Sequence, residues 1–269
     1  MTTRFVVLAT TVFLSAGLTA CNSATSPDAG LTAIGVIILG ATSTPRGYIT
    51  TPVAHFFKVT GATFLNAQNR PDNCGFSAFD PTLTTSFSSS GIPALAGGGI
   101  ATTVSGHTDS LKVTSLKNFA YQLLTSTGIA FTPGDSVKFV IQGNSNGYPA
   151  YTVTGRTAEA FTLGPIDLTK ASTGIPITWS LPADTNSAML ISLHYAPSGS
   201  ATITQQISCV VRDDGFFQLP INISNTYANA TQQTFSIQRL RTVVASPSGN
   251  NFINIVSTFT VPTPTAPCG

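Results

Sequence analysis

SVKFVIQG, residues 136 to 143, places Val137, Phe139 and Ile141 on one side of an extended chain and Lys138 and Gln142 on the other. Successive side chains of a strand point to opposite faces, so this alternation reads as a strand with one dry side. The same period recurs downstream. Ile177, Trp179 and Leu181 alternate with Thr178 and Ser180, and Met189, Ile191, Leu193 and Tyr195 alternate with Ser192 and His194. Ile203, Ile207, Cys209 and Val211 oppose Thr202, Thr204, Gln206 and Ser208, and Ile253, Ile255, Phe259 and Val261 make a further row. Between Phe235 and Val244 the phase slips: Phe235 and Ile237 stand in one register, Leu240, Thr242 and Val244 in the other, as a β-bulge would produce.

Composition points the same way. Thr and Ser supply 41 and 27 of the 269 residues, and Glu159 is the single glutamate. Thr suits strands and Ser turns, whereas helix surfaces draw on Glu, Lys, Gln and Arg, so an all-helical or α/β enzyme is excluded. One segment has helical spacing: Leu116, Phe119, Ala120, Leu123 and Leu124, within SLKNFAYQLLTST, predict a short helix near 115–126, with a strand pair as the alternative reading. Short strands at about ten-residue spacing, separated by turn residues, predict an all-β chain of two β-sandwich domains. A stretch with two prolines and two glycines, GPIDLTKASTGIP (164–176), sets the boundary, giving domains at 31–165 and 166–262 and a Pro/Thr tail at 263–269. Ser86 to Gly106, rich in Gly and Ser, reads as a long surface loop.

Charge excludes one class of partner. Twelve basic residues against ten acidic ones, with only 8% of the chain charged, leave no excess of Lys and Arg for nucleic acid. The first 21 residues carry an address instead. Arg4 precedes an apolar run, FVVLATTVFLSAG (5–17), that is shorter than the ~20 residues a bilayer span needs. It ends in Leu18-Thr19-Ala20-Cys21, which resembles the lipobox of bacterial lipoprotein signal peptides at all four positions. The resemblance implies removal of a signal peptide at 1–20, lipid on the Cys21 sulfur and amine, and a lipidated tether at 21–30. Asn22 stands where Asp would resemble an inner-membrane retention signal, which directs the expectation to the outer membrane, facing either the periplasm or the exterior.

The second block resembles fibronectin type III and immunoglobulin-like domains at ITWSLP (177–182) and MLISLHYAP (189–197), with an inward Trp and a later strand ending in Tyr. QISCVVRDDGFFQLP (206–220) resembles a strand in bacterial surface lipoproteins whose central Cys leads into a DDG turn. These resemblances imply immunoglobulin-like sandwiches on a secreted protein and carry no chemistry of their own. A Cys pair at immunoglobulin spacing and a tyrosine corner are missing.

Four sets of residues are candidates for function. Gly143-Asn144-Ser145-Asn146-Gly147 fits G-x-S-x-G, in which Ser145 would be a nucleophile, but an extended YPAYTV follows where a nucleophile elbow needs a helix, and a loop is expected. His107 with Asp109 is the other nominal hydrolase pair. His55, His107 and His194 are too scattered for a metal site, Asp213-Asp214-Gly215 reads as a hairpin turn between VV and FF, and no cofactor is implied. Loop aromatics Phe76, Phe79, Tyr148 and Tyr151 are the candidates for a binding surface toward a glycan or an envelope protein, while Trp179 belongs to the core. Cys209 points inward, so elimination pairs the accessible Cys74 with Cys268; Cys209 with Cys268 is the alternative. The expected role is that of a lipid-anchored envelope protein that binds, adheres or supports without catalysis, with a cell-surface hydrolase as the alternative.

Overall fold

The computed structural model describes residues 31–60, 72–79, 92–115, 119–125, 127–247 and 251–261. Strands make up 59% of the described residues and helix 6%, so the fold is all-β. The segments expected as signal peptide, tether and Pro/Thr tail, with Cys21 and Cys268, lie outside the described residues.

In chain order the strands are β1 (Leu31–Thr44), β2 (Gly47–Thr50), β3 (Val53–Thr60), β4 (Asn73–Ala78), β5 (Ile92–Pro93), β6 (Ile100–Val104), β7 (His107–Ser115), β8 (Ala120–Leu123), β9 (Ile129–Phe131), β10 (Ser136–Ile141), β11 (Tyr151–Arg156), β12 (Pro176–Thr178), β13 (Ser187–Ala196), β14 (Gln205–Arg212), β15 (Phe216–Gln218), β16 (Gln232–Ala245) and β17 (Asn251–Val261). Fifteen of them join one sheet, whose main path runs β11-β10-β6-β7-β8-β3-β1-β17-β16-β13-β14-β4, and β12 pairs with β15 in a second, two-stranded sheet. The alternation in SVKFVIQG is realised in β10, where Val137, Phe139 and Ile141 are buried and their neighbours exposed.

Long central strands serve two apolar clusters on one face of the sheet. Ile37, Phe56, Ile100, Leu111, Phe139 and Tyr148 belong to the first, together with Ile253 and Ile255 of β17. Met189, Ile191, Ile207, Cys209, Ile237 and Trp179 form the second, into which the same β17 sends Phe259. β1 and β17 pair in parallel, so the N-terminal and C-terminal strands lie side by side at the centre. β4 stands at the edge of the sheet, on β14, far from its sequence neighbours β3, in the interior between β8 and β1, and β5, which pairs with β3. The sheet therefore continues across the boundary expected near residue 165, with β4 and β1 on one side of it in sequence bonded to β14 and β17 on the other.

Three local expectations are corrected. Of the two readings of 115–126, the described residues take the strand pair and not the helix: β7 and β8 pair antiparallel, with Val113 opposite Tyr121, and Phe119, just before β8, holds a left-handed φ of 45°. Tyr121 explains the outcome, because its hydroxyl, buried in the first core, accepts from the Ala96 N–H and donates to the Gly97 carbonyl, fixing its strand by tertiary contacts that outweigh helical spacing. The short helix that does form is α1 (Ile221–Ala228), entered through Pro220 and burying Ile223 and Tyr227. From Ile92 on, the Ser86–Gly106 stretch is no surface loop, since Ala94, Ala96, Ile100 and Val104 are buried. Nor does β16 carry a bulge: its register with β13 and β17 is unbroken from end to end. The apparent slip has another source, described next.

Candidate functional site

Arg239 occupies the inward position of β16 that periodicity reserves for an apolar residue. It and Asp213 are fully buried, and their ion pair is two-pronged: Arg239 Nε lies 2.6 Å from Asp213 Oδ2, and Nη2 lies 3.0 Å from Oδ1. The remaining guanidinium N–H groups reach the carbonyls of Ala160 (3.0 Å) and Ser180 (2.6 Å), and the Phe161 ring lies under the charge. Asp213 also accepts from Trp179 Nε1 at 2.8 Å and Ser187 Oγ at 2.6 Å. A buried charge pair is tolerable only when such additional bonds satisfy both ions. With every oxygen engaged and no exposure, this constellation ties three connecting segments to β16 and offers no free group for chemistry.

Asp213 is thus not part of a hairpin turn between VV and FF. β14 and β15 pair with different partners, and Asp213 turns inward while Asp214 Oδ1 accepts weakly from the Phe216 N–H. A neighbouring polar knot repeats the pattern nearer the surface. Arg241 Nε donates to Asp184 Oδ2 at 2.7 Å, and Glu159, the single glutamate, accepts from the Ala183 and Asp184 N–H groups. Burial by itself would raise the Asp184 carboxyl; hydrogen bonds from Asn186 and the Arg241 charge outweigh it and hold the group below its ordinary value.

The G-x-S-x-G residues form a tightly held loop between β10 and β11. Gly147 N–H donates to the Asn144 carbonyl, closing a four-residue turn, and Asn144 N–H donates to the Tyr148 carbonyl. The loop is pinned to the 94–97 segment by Gly143 N–H to the Ala96 carbonyl and Tyr148 N–H to the Leu95 carbonyl. Both glycines are steric requirements. Gly143 has φ +81° with its missing Cβ position 2.2 Å from Ala150 N, and a Cβ on Gly147 would sit 2.0 Å from the Leu95 carbonyl oxygen. Ser145 lies at the turn, lining a shallow open hollow with Gln142, Asn144, Pro149, Ala150 and Asn251; side-chain amides and backbone line it, and no titratable side chain does.

The other candidates are dispersed. His107 and Asp109 lie two residues apart on β7, beyond a Ser105-Gly106 turn in which both residues have positive φ, and Asp109 Oδ1 accepts from the Ser110 N–H at 2.7 Å. Among the described residues no group of three His, Cys, Asp or Glu side chains could hold a metal ion. Tyr148 is no surface platform: it is buried in the first core, its hydroxyl donates to the Phe252 carbonyl, and burial pushes that hydroxyl's pKa upward. Tyr151 is half-buried at the head of β11, and Phe76 is exposed at the rim of β4. Phe79 stacks on His194, with centroids 4.1 Å apart and planes 18° apart. His194 itself is buried, because β13 is covered on both faces, and burial lowers its pKa against the opposing effect of a Gln206 hydrogen bond.

The disulfide joins Cys74 to Cys209, directly opposed on β4 and β14 with Cα atoms 4.0 Å apart. This replaces the expected Cys74–Cys268 pair and also its Cys209–Cys268 alternative. An inward Cys209 is still within reach of a second sulfur, because the edge strand β4 pairs beside β14 and brings Cys74 to the same inward face. Asp213 and Arg239 were missed as a pair. The one signal was an arginine at an inward position of IQRLR, which only a buried acid could balance.

Comparison with known proteins adds no family. No protein-family model matches the chain, and no curated protein matches it. Among solved structures, the yeast delta-COP-I mu-homology domain is similar at 9% identity and a TM-score of 0.24, over 88% of this chain and 97% of that one.

Proposed function

We propose that this chain is a lipid-anchored protein of the cell envelope, tethered through Cys21, whose β body has a non-catalytic binding, adhesion or structural role. The observation that carries the reading is the ordered run of Arg4, an apolar stretch too short to span a bilayer, and Leu18-Thr19-Ala20-Cys21. Several acyl chains on one residue give a stable anchor, whereas a single chain gives marginal, reversible binding. Asn22 after the lipidated position, where an Asp would resemble an inner-membrane retention signal, supports an outer-membrane location.

The hollow beside Ser145 supports a binding role. Amides both donate and accept, so Gln142 and Asn144 of the tightly held loop, with Asn251 at the start of β17, suit an uncharged, hydroxyl-rich ligand such as a glycan of the envelope. Tyr151 and Phe76 are the aromatic side chains still placed to meet a partner.

Detergent phase partitioning and fatty-acid labelling test the anchor. The wild type is expected in the detergent phase with label, and Cys21→Ala in the aqueous phase without it; an unlabelled, aqueous wild type would overturn the reading. Hydrolysis of an ester or glycoside panel, abolished by Ser145→Ala or His107→Ala, would overturn the non-catalytic part.

A further inference from the structure

We propose that the edge of β4 that no described strand covers is a self-pairing seam, through which two copies of this chain join their sheets by antiparallel strand addition. The inference starts from which backbone groups point outward. Opposed residues of an antiparallel pair alternate between close pairs that share no hydrogen bonds and wider pairs that exchange two. Cys74 and Cys209, with Cα atoms 4.0 Å apart, are a close pair. At the other end of the strand, the Phe79 N–H donates to the Thr204 carbonyl at 2.8 Å, the odd-numbered position expected from the same alternation. Asn73, Gly75 and Ser77 therefore bond to β14, while the N–H and C=O groups of Cys74, Phe76 and Ala78 point away from the sheet.

Among the described residues nothing pairs with that side, and β4 is the last strand of the path. Sheet edges are ordinarily guarded by charge, proline or a bulge. NCGFSA has no charged residue and no proline, and its register with β14 is unbroken. The opposite terminal strand differs: β11 folds back so that Gly155 lies against Val243 and Ile255 of the first core.

A second copy is the occupant that fits. A twofold axis through Phe76 sets Phe76 opposite its counterpart and Cys74 opposite Ala78 of the other copy, engaging the outward groups of all three residues. Such an axis brings Phe76 against its own counterpart and Cys74 against Ala78, so no like charges are set together on this neutral strand. Phe76, 55% exposed, shares its face with Cys74 and with Ile207 of the second core, so the two rings meet as a cross-strand aromatic pair and cover each other. Asp72, just before the strand, is already engaged by Arg212.

Sedimentation equilibrium of the purified protein over a concentration series, with residue-resolved hydrogen exchange, tests the seam. A reversible monomer–dimer equilibrium is expected, in which the amides of Cys74, Phe76 and Ala78 gain protection as concentration rises while those of Asn73, Gly75 and Ser77 are protected throughout. Phe76→Pro removes only an outward N–H, a substitution an edge tolerates, and is expected to weaken dimerisation at least tenfold with the Cys74–Cys209 bridge intact. A monomer at every concentration, a Phe76→Pro variant that dimerises as the wild type does, or protection gained without alternation along β4 would each overturn the proposal. The alternation readout needs no variant, so it decides the matter even if Phe76→Pro does not fold.

Discussion

Arg239 and Asp213 face each other across 2.6 Å in the middle of an apolar core, neither of them accessible to solvent. Removing one partner strands the other as an uncompensated buried charge, which costs about 3–5 kcal/mol, whereas replacing both with apolar residues of similar volume is often neutral or better. Asp213→Ala is therefore expected to lower unfolding stability by about that amount in urea titration. The double variant Arg239→Met/Asp213→Leu is expected to recover most of the loss. Equal losses in the single and double variants would mean that the carbonyl bonds to Ala160 and Ser180, rather than the ion pair, hold the segments.

The same pair shows where sequence reading stops. Alternation located β10, β13, β14 and β17 because each has one face whose apolar residues are buried, and an all-β fold followed. In β16 the row Ala41, Phe259, Arg239, Met189 and Val211 crosses the sheet on the inward face, so an arginine interrupts the apolar pattern and mimics a change of phase. Its acid partner lies 26 residues away and behind a turn signal, a distance that local periodicity does not bridge. Of the candidate site, Ser145 on a loop was legible because Asn and Gly dictate turn chemistry locally. The Cys74–Cys209 pairing was not, since it depends on β4 crossing to the far edge.

That disulfide closes a loop of 135 residues and holds the edge strand to the sheet. Cross-links of this kind contribute about 2–4 kcal/mol, chiefly by restricting the unfolded chain. Cys74→Ser is expected to lose stability in that range and to make the amides of Asn73, Gly75 and Ser77 exchange faster than those of β13. A non-reducing peptide map should recover Cys74 linked to Cys209; a linked peptide containing Cys268 instead would contradict the strand order at this edge.

His194 gives stability a dependence on pH in the mildly acidic range. Burial lowers its pKa in the folded state below the usual value near 6.5. As pH falls below 6.5 the unfolded chain takes up a proton that the folded chain does not, so the unfolded state binds more protons and stability falls with pH. His55, also lowered by burial, adds a decline of the same sign. His194→Gln is expected to flatten the stability profile between pH 6.5 and 5 without abolishing the slope. An unchanged profile in that variant would show that the Phe79-stacked ring is already charged in the folded state.

Gly147 separates the conformational reading of G-x-S-x-G from a chemical one. A methyl group there would have to displace the Leu95 carbonyl, which itself accepts from the Tyr148 N–H, so Gly147→Ala strains the loop and the 94–97 segment together. Overpacking of this order costs about 1–3 kcal/mol. Ser145 lines an open hollow, and Ser145→Ala is expected to change stability by no more than about 0.5 kcal/mol, as surface substitutions do. Thermal unfolding of the two variants checks the contrast. If Gly147→Ala were neutral and Ser145→Ala strongly destabilising, the serine hydroxyl would have a buried role that the turn geometry does not give it.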